Sequence, residues 1–134
     1  MISHITFIVQ DLDKMARLIV DVLGGREVYS SGEKQHSLSP EKFFDFGDYW
    51  IAIMQGDALP SRSYNHTAFK VSVAQLEKAK KVIESLGLDF RQSRPRISGE
   101  GQSLYFHDYD NHLFELHTGT LQERLVAYKE LDEK

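Results

Sequence analysis

The sequence predicts an α+β fold built from two similar βαβββ modules. Three observations lead there: an internal repeat, an amphipathic helix after each repeated strand, and three β-rich segments behind each helix. The repeat pairs Ser3-His4-Ile5-Thr6-Phe7-Ile8-Val9 with Asn65-His66-Thr67-Ala68-Phe69-Lys70-Val71, nearly half the chain apart. Each run alternates apolar residues with period two, the pattern of a half-buried strand.

The first predicted helix carries Leu12, Met15, Ala16, Ile19, Val22 and Leu23 at helical spacing and closes at Gly24. The second opens on Ser72 and Gln75, which match a capping box. Its stripe is Leu76, Ala79, Val82, Ile83 and Leu86, ahead of Gly87. Strands are then expected at Arg26 to Ser30, Phe43 to Phe46 and Trp50 to Met54, and again at Leu88 to Arg91, Ser103 to Phe106 and His112 to His117. Gly47-Asp48 and Asp110-Asn111 stand where hairpin turns are needed. Module one covers about residues 1–56 and module two about 64–119, with Pro60 in the linker between them; together they make one domain. The tail, 121–134, reads as a charged helix with Leu121, Leu125 and Tyr128 on one side.

Composition narrows the function. Apolar residues at 41% and charged ones at 27% suit a globular chain, and no apolar run is long enough to span a membrane. Met1 to Val9 lacks a basic flank and reads as a strand, not a signal peptide, so a cytoplasmic location is expected. A net charge of −4 offers no basic patch for nucleic acid. Cysteine is absent, which excludes disulfides, thiolate ligands and a cysteine nucleophile. Any metal must be held by His, Asp and Glu, a donor set for Mn, Fe, Zn, Ni or Mg.

Strand alternation puts His4, Thr6 and Ile8 on one face of the first strand, His66, Ala68 and Lys70 on one face of the fifth, and Leu113, Glu115 and His117 on one face of the last. The apolar faces can pack under the helices. His4, His66 and Glu115 then lie on the opposite, concave side. Two imidazoles and a carboxylate are a recurrent ligand set for a divalent ion with open positions. A lone strand histidine is usually structural; two at matching points of a repeat are better candidates.

These features resemble the vicinal oxygen chelate superfamily and, within it, the fosfomycin resistance proteins over nearly the whole chain. The closest local matches are Tyr64-Asn65-His66, Gly99-Glu100-Gly101-Gln102-Ser103-Leu104-Tyr105-Phe106 and Asp110-Asn111-His112-Leu113-Phe114-Glu115-Leu116-His117, in that order. The resemblance implies paired modules completed across a homodimer, with His4, His66 and Glu115 as ligands of Mn(II) or another divalent cation. Aligning Gly119 with Gly56 sets Glu115 opposite Ala52, where a glyoxalase has a ligand. This site would keep three protein ligands and leave positions for two substrate oxygens.

The implied substrate is a small phosphonate epoxide. Arg94, Tyr105 and Arg124 match phosphonate-binding positions, with Tyr64 and Ser103 as further contacts and Trp50 as an apolar wall. On residue type alone each arginine would be a solvated surface charge. Thr6 shares the His4 face, so its hydroxyl could reach the epoxide oxygen. Subfamilies differ in nucleophile: glutathione, bacillithiol or, in the FosX type, water. Ser37-Leu38-Ser39-Pro40-Glu41-Lys42-Phe43-Phe44 resembles the FosX type, which implies that Glu41 is the general base for water. Glutathione-type relatives bind K⁺ in a loop at Ser98-Gly99-Glu100-Gly101, and a serine that touches phosphonate in them corresponds to Gly99, so no K⁺ requirement is expected. His36, His107, His112 and His117 receive no role. The competing readings are a thiol transferase, an extradiol-type dioxygenase and a metal-free drug-binding module.

Overall fold

The computed structural model describes residues 1–34, 36–92 and 94–134. Contacts divide the chain into two compact units, Met1–Arg62 with Asp108–His112, and Ser63–His107 with Leu113–Lys134. No helix among the described residues is long and apolar enough to cross a membrane.

The first unit contains β1 (His4–Val9), α1 (Leu12–Leu18), β2 (Arg26–Ser30), β3 (Glu41–Asp45) and β4 (Trp50–Gln55), with strand order β1-β4-β3-β2. Strands β1 and β4 are parallel and the other pairs antiparallel. Asp11 caps α1 by accepting from the Lys14 amide. The helix continues as a π-helical turn, Ile19–Leu23, and ends on left-handed Gly24. Apolar periodicity located the stripe but gave no sign of this wider turn. Met15, Leu18 and Ile19 are buried, as are Phe7, Val9, Phe44, Ile51 and Ile53 on the sheet face opposite His4. Alternation along the strands therefore makes the core here and leaves the His4 face outside it.

The second unit repeats the plan with β5 (His66–Lys70), α2 (Val73–Ser85), β6 (Phe90–Arg91), β7 (Ser103–His107) and β8 (Leu113–His117), in the order β5-β8-β7-β6. The Ser72–Gln75 capping box is present, and Leu76, Ala79 and Ile83 bury the helix stripe. The two sheets have equivalent registers. Ala52 pairs with Thr6, two residues past His4, while Glu115 pairs with Ala68, two residues past His66. The structure thus sets Ala52 and Glu115 at matching points, as the alignment of Gly56 with Gly119 implies.

Two strand boundaries and the face of the tail helix depart most from the sequence reading. β3 begins at Glu41, because its pairing with β4 extends back to Met54. β6 is shorter than expected, since the Leu88 amide still donates to Ile83 at the end of α2. The tail forms α3 (Leu121–Asp132), but Leu121 and Leu125 are exposed and Tyr128 about a third so; Ala127 is its buried apolar residue. A small residue allows the close approach to Gly99 that larger apolar side chains would block.

Candidate metal and anion site

On the first sheet, lateral pairing sets out a single working face. One row is His4–Trp50–Asp45, the next Thr6–Ala52–Phe43, the next Ile8–Met54–Glu41. The His4 ring stacks on Trp50 at 3.9 Å between centroids, and its Nδ1 is 3.0 Å from Ser3 Oγ, which leaves Nε2 for a ligand. Trp50 also meets Phe43 edge-on at 4.9 Å, so it walls this face and is not part of the core under α1. Glu41 is 7% exposed, unlike the surface glutamate its residue type would suggest. Its backbone is fixed by Ser31, whose hydroxyl accepts from the Glu41 amide at 2.9 Å and whose amide donates to the Glu41 carbonyl at 3.0 Å.

On the second sheet the rows are His66–Leu113–His107, Ala68–Glu115–Tyr105 and Lys70–His117–Ser103. His66 Nε2 lies 3.1 Å from Glu115 Oε1, and its Nδ1 lies 2.7 Å from the Tyr64 carbonyl. A carbonyl only accepts, so Nδ1 carries a hydrogen and Nε2 is the ring nitrogen that faces the carboxylate. Two acceptors at that separation need a cation between them, a proton or a metal ion. The backbone carbonyl behind Nδ1 is the usual way a histidine ligand is oriented. This pair therefore fits a divalent metal.

Glu115 is 4% exposed. Burial works to raise its carboxyl, but hydrogen bonds from Ser103 and Tyr105 and the Arg96 charge outweigh that and hold it below the ordinary value. Ser103 Oγ donates to Glu115 Oε2 at 2.6 Å and lies 2.6 Å from His117 Nδ1. Burial pushes the His117 imidazole down, against the pull of Glu115. Arg96 donates to Glu115 Oε2 at 3.2 Å and to the Tyr105 hydroxyl at 3.0 Å. Tyr64 and Tyr105 share a hydroxyl contact at 3.2 Å, and burial drives the Tyr105 phenol upward.

Beside this lies a guanidinium cluster. Arg94, Arg96 and Arg124 all meet the carboxylate of Glu100. One carboxylate cannot saturate three guanidinium forks, and the Nε atoms of Arg96 and Arg124 are buried without a hydrogen-bond partner. Such donors suit a tetrahedral anion.

The structure thus brings together Tyr64, His66, Arg94, Ser103, Tyr105, Glu115 and Arg124 in the second unit, and His4, Thr6, Glu41 and Trp50 on one face of the first. Among the described residues, no group of three or more His, Asp or Glu is placed to hold an ion. Sequence reasoning missed Arg96 and Glu100. Their only signals were a glutamate set between two glycines and the spacing of Arg94-Pro95-Arg96.

Residues 1–116 match the Glyoxalase/Bleomycin resistance protein/Dioxygenase superfamily. Fosfomycin resistance protein FosX of Mesorhizobium japonicum is 57% identical over 125 residues, covering 93% of this chain and 90% of that one. The chain belongs to the FosX family. A crystal structure of a FosX mutant from Listeria monocytogenes, complexed with Mn(II) and 1S,2S-dihydroxypropylphosphonic acid, superposes with a TM-score of 0.85 at 46% identity, covering 96% of this chain and 97% of that one. Metallothiol transferase FosB of Staphylococcus saprophyticus is more distant, 32% identical over 133 residues, covering 96% of this chain and 83% of that one.

Proposed function

We propose that this protein is a homodimeric, Mn(II)-dependent hydrolase that adds water to the epoxide of fosfomycin and so confers resistance to it. The observation that carries this reading is Arg96, which touches both Glu115 of the candidate ligand pair and Glu100 of the guanidinium cluster. A substrate with a reactive oxygen close to a phosphonate would meet a metal site and an anion cradle side by side. The much higher identity to FosX than to FosB supports water over a thiol as nucleophile.

His66 and Glu115 of one chain would hold the ion together with His4 of a second chain. Bound there, the metal would supply Lewis-acid stabilisation to the epoxide oxygen, worth several kcal/mol as that oxygen gains charge. Arg94, Arg96, Arg124, Tyr64, Ser103 and Tyr105 would seat the phosphonate. Trp50 would exclude water from the apolar side of the substrate. Glu41, on the same sheet face as His4 and Thr6, would take a proton from water as its oxygen bonds to the epoxide carbon and the C–O bond breaks. Thr6 would donate a hydrogen bond to the departing oxygen, which takes up a proton from solvent to give the diol, while Glu41 returns its proton to solvent.

The test is to incubate purified protein with Mn(II) and fosfomycin in thiol-free buffer and follow phosphorus NMR. Conversion to the dihydroxypropylphosphonate is expected, with one labelled oxygen when the solvent is ¹⁸O water. Adduct formation with glutathione or bacillithiol, and none with water, would overturn the hydrolase reading.

A further inference from the structure

Glu100 is an acid at the centre of a site that is meant to attract an anion. Its side chain has no exposed surface. Arg94 donates to both of its oxygens, Arg96 Nη1 to Oε1 at 3.1 Å, Tyr128 to Oε1 at 2.9 Å and the Ile97 amide to Oε2 at 3.3 Å. Arg124 Nε stands 3.5 Å from Oε1. Tyr128 also accepts from Arg94 at 3.2 Å. These donors come from two places, the 94–97 segment and α3, where Arg124 and Tyr128 share one face a helical turn apart.

The backbone is shaped to put this carboxylate inside. Gly99 and Gly101 flank it with φ of 87° and 93°, a region that side chains disfavour. A Cβ on Gly101 would meet the Gly119 backbone at 2.8 Å, so the chain crosses there only as glycine. With both neighbours lacking side chains, Glu100 alone is turned into the cluster. The Arg94 hydrogen bond, against burial, pulls its carboxyl down to about 2, which favours the anion at neutral pH.

We infer that Glu100 is a positioning residue of the anion cradle, holding the guanidiniums of Arg94, Arg96 and Arg124 in one arrangement and tying the 94–101 loop to α3. It rests on the reading of those arginines as the phosphonate cradle. Its cost is one negative charge beside the substrate; its gain is that three flexible cations are ordered before the anion arrives. Ordering in advance strengthens binding because the side-chain entropy is already lost in the free protein.

The two effects have opposite signs, which makes the inference testable. Glu100→Gln keeps the shape but removes the charge. If Glu100 only offsets positive charge, fosfomycin should bind more tightly to this variant. If it positions the arginines, KM should rise about tenfold or more, with Mn(II) content unchanged by metal analysis and a smaller effect on kcat. Tyr128→Phe removes one donor from the partly exposed side of the cluster and serves should Glu100→Gln fail to fold; KM should rise about threefold. An unchanged or lower KM in folded Glu100→Gln, or an unchanged KM in Tyr128→Phe if the first variant is unfolded, overturns the inference. Calorimetric titration of the Mn(II)-loaded proteins with inorganic sulfate separates this from the function itself. Weaker sulfate binding in both variants, with a wild-type protein that fails to hydrate fosfomycin, would sink the proposed function and leave the role of Glu100 standing. Hydration by wild type, with variants equal to it in KM and sulfate affinity, would do the reverse.

Discussion

Glu41→Gln isolates proton removal from every other function of the site. The Glu41 backbone is held in both directions by Ser31, so the side chain can change without moving β3. Glu41 lies two strands across and two residues along from Thr6, roughly 10 Å by 7 Å in ordinary sheet spacing, or about 12 Å between Cα atoms. Side chains reaching in from both ends leave space for a water and a three-carbon substrate. Gln fills the same volume and can still hydrogen-bond water, but it cannot accept the proton. General-base catalysis contributes roughly 10²–10⁴-fold, so kcat should fall at least about 10²-fold, or about 2.7 kcal/mol of barrier. The competing effect is a buried amide with an unmatched N–H, which costs stability by about 1–3 kcal/mol. That cost appears in Tm and not in kcat. The assay is steady-state hydration followed by phosphorus NMR, with Tm and Mn(II) content measured on the same samples. Near wild-type kcat in a folded, metal-loaded Glu41→Gln protein would refute the role of Glu41 and remove the main chemical reason for water as nucleophile.

Other outcomes follow from the same geometry. His4→Ala and Glu115→Ala should each lose Mn(II), yet unfolding and refolding the two together should restore metal to about half of the sites in mixed dimers; recovery of none would place all ligands in one chain. Arg94→Ala or Arg124→Ala should raise KM for fosfomycin about tenfold or more while keeping metal, as expected for charge-assisted hydrogen bonds of about 1.5–3 kcal/mol, and unchanged kcat/KM would return both to surface charges. Glu100 has a folded pKa of about 2 against an ordinary 4.5, so its contribution to stability is complete above the higher value and is lost as pH falls toward the lower. Denaturant midpoints of wild type should therefore drop through that window more steeply than those of Glu100→Gln, and parallel curves would contradict the shift. Phe106→Ala, in the fully buried core of the second unit, should cost about 3–5 kcal/mol in chemical denaturation; a loss below 1 kcal/mol would contradict tight packing there.

Much of the fold was legible because it depends on periodicity, which a sequence displays directly. Alternation around His4 and His66 assigned the faces of β1 and β5, and the 3.6-residue stripes placed α1 and α2 on the apolar sides. The repeat even fixed the equivalence of Ala52 and Glu115, since two copies of one plan must pair their strands alike. What alternation could not reveal was the burial of individual polar groups. Glu41 and Glu100 have the residue type and neighbourhood of surface acids. Only the extension of β3 against β4 buries the first, and only a loop crossing at Gly101 and Gly119 turns the second inward. Arg96 was hidden for the same reason, because its partners Tyr105, Glu115 and Glu100 are brought to it by strand pairing and loop closure. Local sequence determined which residues share a face. The tertiary structure decided which charges on them lose their water and must therefore find one another, because desolvation depends on what packs nearby and not on what is adjacent in the chain.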